Sequence, residues 1–300
     1  MRNAFIEELV MAARSGKDVF LIVGDLGYKV IEPFADEFPE RFFNAGVAEQ
    51  NMMGLAAGLA SEGVHVFAYS IANFPTFRCA EQIRNDVAYH NVPVTIVSVG
   101  GGLSYGALGY SHHAVQDYAL IRTLPNMLIA SPGDPMEVRS CMRYLMNNPG
   151  PSYLRLGKAG EPSFHPNPPT VSPGRWLKIR DGSSNKVLLC TGAVLEIAVN
   201  RTNNIEYADY SIYTMPMWSM SDKAAQVEMI RMFDEIETLE DHLLDGGFGS
   251  WLLESKSQDL TLNCIIKPVA LSPIVCGTVG SQATLNRLGG LIVDTPPSAS

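Results

Sequence analysis

Along the first half of the chain, short apolar runs alternate with longer stretches in which apolar residues recur at helical spacing. Residues 19–23, 64–68, 94–99 and 127–130 suit buried strands, and 3–14, 47–61, 78–90 and 135–147 suit helices. A strand that is apolar without alternation is one covered on both faces, so the rhythm predicts a parallel α/β sheet. The start of the last helix is marked by Asp134, Pro135 and Glu137: an N-cap, a proline where no backbone N–H is needed, and a capping-box carboxylate.

After residue 158 the pattern stops. The segment 159–174 carries prolines at 162, 166, 168, 169 and 173, which can propagate neither helix nor central strand, so it reads as a semi-rigid connector. The rhythm then restarts, with strands expected at 186–191, 210–214, 235–239 and 263–266 and helices near 193–201, 222–232 and 248–255. The fold class expected is therefore α/β with two parallel-sheet domains: 1–158, the connector 159–174, and a smaller domain at 175–300.

Composition adds that the chain has 46% hydrophobic and 18% charged residues, a thin polar coat that favours association. A net charge of −9 without a Lys/Arg cluster argues against nucleic acid. Five cysteines, at 79, 141, 190, 264 and 276, are too far apart for a metal motif and read as buried thiols of a reducing, cytoplasmic setting. The N-terminus alternates charge with apolar residues instead of presenting a signal-peptide core, and no apolar run reaches membrane-spanning length.

Within segment 47–61 nearly every face is small or apolar, which predicts a helix buried all round, and Gly54 and Gly58 would let another helix approach closely. Glu49 stands in its first turn. One reading is an exposed acid favoured by the helix dipole. The other is a carboxyl group in a dry site, its pKa lifted by desolvation for proton chemistry. Position alone leaves both open.

The stretch Phe43-Asn44-Ala45-Gly46-Val47-Ala48-Glu49-Gln50-Asn51-Met52, followed by Gly54 and 56–60, resembles the G-[IV]-x-E-Q signature of the pyrimidine-binding domain of transketolases and deoxyxylulose-phosphate synthases. Residues 81–88 (EQIRNDVA), 109–113 (GYSHH), 124–127 (LPNM), 131–134 (SPGD), 240–242 (EDH) and 246–250 (GGFGS) follow in that family's order and spacing. The resemblance covers almost the whole chain.

The resemblance implies thiamine diphosphate as cofactor. In such enzymes this Glu hydrogen-bonds a nitrogen of the aminopyrimidine ring and favours the imino tautomer whose neighbouring nitrogen takes the thiazolium proton; by position the role falls to Glu49. Phe74 matches the aromatic that stacks on the ring, with Phe77 as second candidate. His112 matches the histidine of the T-H-Q segment near the reacting carbon, with His113 beside it, and Asp25 matches an Asp near the cofactor. Lys158 falls near a family Arg that contacts substrate phosphate; Lys29 and Arg155 are other candidate anion contacts.

Family enzymes hold Mg2+ and the diphosphate in another domain bearing G-D-G. Here Gly24-Asp25 leads to Leu26 and Gly133-Asp134 to Pro135, so no metal site is expected in this chain. The resemblance thus implies one subunit of a split enzyme, a heterotetramer completed by a separately encoded G-D-G partner and acting on small carbonyl substrates of carbohydrate metabolism. Gly100 and Leu108 stand where transketolases place a His and an Asp, and Gly101 where deoxyxylulose-phosphate synthases place an Arg. These losses put a sugar phosphate in question. Two-carbon ketol or acyl transfer is the leading expectation. A 2-oxoacid dehydrogenase β subunit, a decarboxylative ligase and a non-catalytic scaffold are the alternatives.

Overall fold

The four apolar runs of the first half are the strands β1 (Val19–Val23), β3 (His65–Ile71), β4 (Val94–Val99) and β5 (Leu128–Ala130), and the structure adds β2 (Phe42–Asn44) and β6 (Ser152–Leu156). The computed structural model describes residues 1–292, so the last eight residues of the expected second domain lie outside the described part. These strands run parallel, and every residue of β4 and β6 is buried. Period-2 side-chain alternation divides the apolar residues between two layers. Leu21, Val23, Phe67 and Tyr69 pack with Phe5 and Leu9 of helix Arg2–Arg14 and Val138 of helix Pro135–Asn147. Ile22, Val66, Ala68 and Ile96 pack on the other side with Met52, Met53 and Ala56 of helix Glu49–Ser61.

The second half forms a smaller sheet from β7 (Leu177–Arg180), β8 (Lys186–Cys190), β9 (Ser211–Thr214), β11 (Glu235–Leu243) and β12 (Ile265–Leu271), ordered β12-β11-β8-β9-β7. It is parallel except for the edge strand β7. β10 (Met217–Ser219) leaves this half and pairs antiparallel with β5, giving the larger sheet the order β10-β5-β6-β4-β3-β1-β2. Three residues are too few to show a period, which is why the sequence pattern gives no sign of β2 or β10.

The helix starts behave as their residues require. Asp134 Oδ1 accepts from the Glu137 backbone N–H at 2.7 Å, and Glu137 Oε2 reaches back to the Gly133 N–H at 2.6 Å. The expected helix at 78–90 is realised as a short α turn, Ala80–Gln82, continued by the π-helical Ile83–Tyr89. Helix Glu49–Ser61 differs from expectation: Asn51, Gly54, Leu55 and Gly58 are exposed, and a Cβ at either glycine would meet nothing within 4 Å. It is buried on one side only, because no described element of this chain covers the other. Among the described residues no helix is long and apolar enough to cross a membrane.

Candidate active site

In a parallel sheet the loops at the carboxyl ends of neighbouring strands converge, and ligands bind there. Asp25 follows β1, Glu49 follows β2, Phe74 follows β3, and the Gly100–Gly102 run follows β4; these four strands are adjacent in the order β4-β3-β1-β2. The candidates come from distant points in the chain and are gathered by topology.

Asn44, at the end of β2, ties two of these loops together. Its Oδ1 accepts from the backbone N–H groups of Asp25 (3.1 Å) and Gly46 (3.0 Å), and its Nδ2 donates to Asp25 Oδ1 at 3.0 Å. Asp25 and Gly46 both have positive φ, 56° and 71°, and the side-chain bonds hold those backbone turns in place. Hydrogen bonds from Asn44 and then Tyr28 keep the Asp25 carboxyl below its ordinary pKa. The chain then enters the helix whose first residue is Glu49.

Glu49 is 4% exposed, so it is a buried residue and not an exposed acid of the first turn. Its hydrogen-bond partner is Arg78, whose Nη1 donates to Oε1 at 2.8 Å. The same guanidinium lies 4.3 Å from the centre of the Phe74 ring. Phe74 in turn meets His112 edge-on, ring centres 5.1 Å apart. The strand-end loops thus set Glu49, Arg78, Phe74 and His112 in a row. Phe77 is exposed on the same short helix, Asn73–Phe77, and lines the neighbouring groove.

His112 is positioned through its neighbours. Asn73 Nδ2 donates to the carbonyls of Ser111 (3.2 Å) and His113 (2.8 Å), which fixes the loop on both sides of it. Burial, with His113 and Arg78 nearby, lowers the His112 pKa from its ordinary value, so at neutral pH its imidazole is free to take up a proton. His113 is fully buried and its Nε2 pairs with the Gly106 carbonyl at 3.1 Å, a position that braces the loop from inside.

The glycine run after β4 has a steric cause at each position. A Cβ on Gly100 (φ +82°) would lie 2.1 Å from the Tyr105 ring, one on Gly101 2.6 Å from the Arg155 guanidinium, and one on Gly102 (φ +62°) 2.1 Å from the Asp241 carboxylate. In this chain the space beside Gly100 is filled by Tyr105 and that beside Gly101 by Arg155. Tyr105 stands between His112, 6.3 Å away ring to ring, and Lys158, whose Nζ is 5.3 Å from its centre. Lys158 is exposed.

Arg155 does not face the site as an anion contact. It is 3% exposed, and its N–H groups are taken by Asp117, Asp241, Tyr118 and the carbonyls of Ala114 and Asp241. With its guanidinium saturated inside the chain, it clamps the two halves together. Lys29 lies elsewhere, in a groove against helix Arg2–Arg14.

Two grooves flank Arg78. One, of about 520 Å³, is lined by Asn73, Phe74, Phe77, Tyr110, Ser111 and Gln116; the other, of about 500 Å³, by 47–51; Arg78 belongs to both walls. A buried carboxylate and a half-buried phenyl ring reached from these grooves fit a flat heteroaromatic ring with a nitrogen to be hydrogen-bonded.

Arg78, Asn44, Asn73 and Tyr105 were not singled out by sequence. Arg78 had a usable signal, the i,i+4 spacing from Phe74, which on a helix brings a cation over a ring. The asparagines had none, since what they hold is backbone from other loops.

The family "Transketolase, pyrimidine binding domain" matches residues 1–160. The chain is 33% identical over 264 residues to an apulose-4-phosphate transketolase subunit of Phocaeicola vulgatus, covering 86% of this chain and 84% of that one. It is 32% identical over 263 residues to 1-deoxy-D-xylulose-5-phosphate synthase of Pelotomaculum thermopropionicum, where 84% of this chain matches only 40% of that protein. A solved structure of a split-gene transketolase, an inactive β4 tetramer, superposes with a TM-score of 0.82 at 30% identity, covering 97% of this chain and 93% of that one. With a buried Glu49 at the carboxyl edge of a parallel sheet and a family match over more than half its length, the chain belongs to the transketolase family, whose pyrimidine-binding domain occupies residues 1–160.

Proposed function

We propose that this chain is the pyrimidine-binding subunit of a two-subunit, thiamine diphosphate-dependent enzyme that transfers a two-carbon ketol or acyl unit between carbonyl substrates. The observation that carries the reading is the row Glu49, Arg78, Phe74 and His112, with the only buried charge of the row on Glu49. Thiamine diphosphate supplies a nucleophilic carbon and an electron sink that protein side chains lack. The residues of this chain do the rest. Glu49 holds a proton at a ring nitrogen, away from water. Phe74 presents the face on which the ring lies, and Asp25 fixes the turn beside it. His112 moves a proton at the substrate, and Lys158 receives an anionic group at the mouth.

The diphosphate and Mg2+ fall to a separately encoded partner with a G-D-G motif, for neither Gly24-Asp25 nor Gly133-Asp134 continues to glycine. The structural neighbour, an inactive tetramer of one subunit type, supports a chain that assembles without turning over, and a heterotetramer with the partner as the working form. The exposed side of helix Glu49–Ser61 is consistent with that assembly. Five free cysteines support a cytoplasmic setting, and the likeness to a sugar-phosphate transketolase supports a place in carbohydrate metabolism.

The filling of the Gly100 and Gly101 positions by Tyr105 and Arg155, with Leu108 exposed, favours as a second reading a compact donor of the pyruvate type. A non-catalytic scaffold has no need of a buried carboxylate, a stacking ring and an imidazole in one row.

Co-purification of the chain with its G-D-G partner, followed by calorimetric titration of thiamine diphosphate with Mg2+, tests the reading. Binding is expected for the pair and not for this chain alone. Equal affinity without the partner would remove the two-subunit assignment.

A further inference from the structure

We propose that Arg78 is a built-in stand-in for the aminopyrimidine ring, seated on Phe74 and bonded to Glu49 until the cofactor displaces it. The inference rests on the reading that this chain binds thiamine diphosphate with a partner.

A guanidinium and an aminopyrimidine share the features this place selects. Both are flat and delocalised, and both present N–H groups in the plane of the ring or fork while offering a face for stacking. In the present arrangement the guanidinium makes the two contacts such a ring requires, the 2.8 Å bond to Glu49 Oε1 and the 4.3 Å approach to the Phe74 ring. Both places cannot be filled at once: a ring stacked on Phe74 and bonded to Glu49 excludes the guanidinium.

Arg78 is built to leave. Its side chain is 49% exposed while that of Glu49 is 5% exposed, so one partner is anchored and the other is a long, solvent-reaching arm. It caps the end of the short helix Asn73–Phe77 and contributes to the walls of both flanking grooves. Swinging it outward joins those grooves into one channel, from Glu49 and Val47 at one end to Ser111 beside His112 at the other.

Such a residue has a physical role in the empty subunit. A carboxylate as buried as Glu49 is costly without a counter-charge, and Arg78 supplies one before the partner and cofactor arrive. The consequence is competition: part of the cofactor's binding free energy is spent on breaking the Arg78 contacts.

The test is the affinity of the assembled pair for thiamine diphosphate with Mg2+, measured by calorimetry on wild type, Arg78→Met and Arg78→Lys, with assembly checked by size-exclusion chromatography. Removing an ion pair with one half-exposed partner and a cation–π contact is expected to tighten binding about tenfold in Arg78→Met. Arg78→Lys keeps the charge without the flat face and is expected to fall between it and wild type; it carries the test alone should Arg78→Met fail to assemble. Unchanged or weaker binding in an assembled variant overturns the stand-in role while leaving the proposed function intact. Failure of the wild-type pair to bind removes both.

Discussion

Arg155 of β6 and Asp241 of β11 meet at 2.5 Å, although one belongs to each sheet. Asp117 completes the group, accepting from Arg155 Nε at 2.7 Å, and all three side chains are 3% exposed or less. The guanidinium face also lies 4.4 Å from the Tyr118 ring centre. Two buried carboxylates depend on one cation, so removing the cation leaves both uncompensated.

Arg155→Met is therefore expected to destabilise the chain by about 3–5 kcal/mol, the cost typical of breaking a buried ion pair from one side. Arg155→Lys should recover little, because a single ammonium cannot reproduce the forked contacts to two aspartates and two carbonyls. Urea unfolding of the three proteins measures both; a loss under about 1 kcal/mol would mean that water reaches the cluster and replaces the arginine.

Stability should also fall as pH rises toward mild alkali. Burial pushes the pKa of Glu137 up to about 8, against a bond from the Gly133 N–H, and that of Glu240 up to about 8, against bonds from the Gly249 and Phe248 N–H groups. Each carboxyl is protonated in the folded chain and ionised in the unfolded one between 4.5 and about 8. The folded state binds more protons throughout that window, so stability is lost as pH rises through it, at up to about 1.4 kcal/mol per pH unit for each proton. His165 works in the same direction. Burial opposes its charge, but the hydrogen bond to Asp134 and that residue's negative charge raise its pKa, so its contribution is present below 6.5 and lost as pH rises through its folded value. Glu137→Gln and Glu240→Gln should each flatten the profile, and urea midpoints at about pH 5.5 and about pH 8.5 would expose an unchanged slope.

Gly100→Ala separates backbone strain from collision. Gly100 and Gly16 both have φ above +80°, but a Cβ on Gly16 meets nothing within 4 Å whereas one on Gly100 would lie 2.1 Å from Tyr105. Gly16→Ala is expected to cost about 1–3 kcal/mol from strain alone. Gly100→Ala should cost more and should lower turnover, since the displaced ring stands between His112 and Lys158. Adding Tyr105→Ala to Gly100→Ala should then bring its cost back toward that of Gly16→Ala. Equal costs for the two single variants would show that Tyr105 moves aside freely.

How much of this was legible in the sequence follows from the range of the interactions. β1 and β4 coincide with their apolar runs, and Pro135–Asn147 with its cap, because apolar period and capping are local properties. The motif around Glu49 makes it a site candidate, but its burial is not legible there, because Arg78 and Phe74 come from the loop after the next strand. Arg155 reads as a candidate anion contact from its charge alone; that Asp117 and Asp241 consume it depends on a contact between sheets that no local pattern encodes. The exposed side of helix Glu49–Ser61 read as buried for the opposite reason: its small residues record packing, and no described element of this chain supplies what packs there.

Glu49→Gln probes the proton-holding role with least disturbance of the fold. The amide keeps the shape of the carboxyl group and can still accept from Arg78 through its oxygen, and the pair it weakens has a half-exposed member, so the cost in stability should stay under about 1 kcal/mol. What the amide cannot do is hold and release a proton at a ring nitrogen. Turnover of the assembled pair is expected to fall by about 10²–10⁴-fold, the usual contribution of a positioned acid or base, while co-purification with the partner is unaffected. Glu49→Asp withdraws the carboxyl by one methylene and should recover only part of the rate. Single-turnover assays on the three pairs, beside their melting curves, decide the matter: full activity in Glu49→Gln would reduce Glu49 to a counter-ion for Arg78.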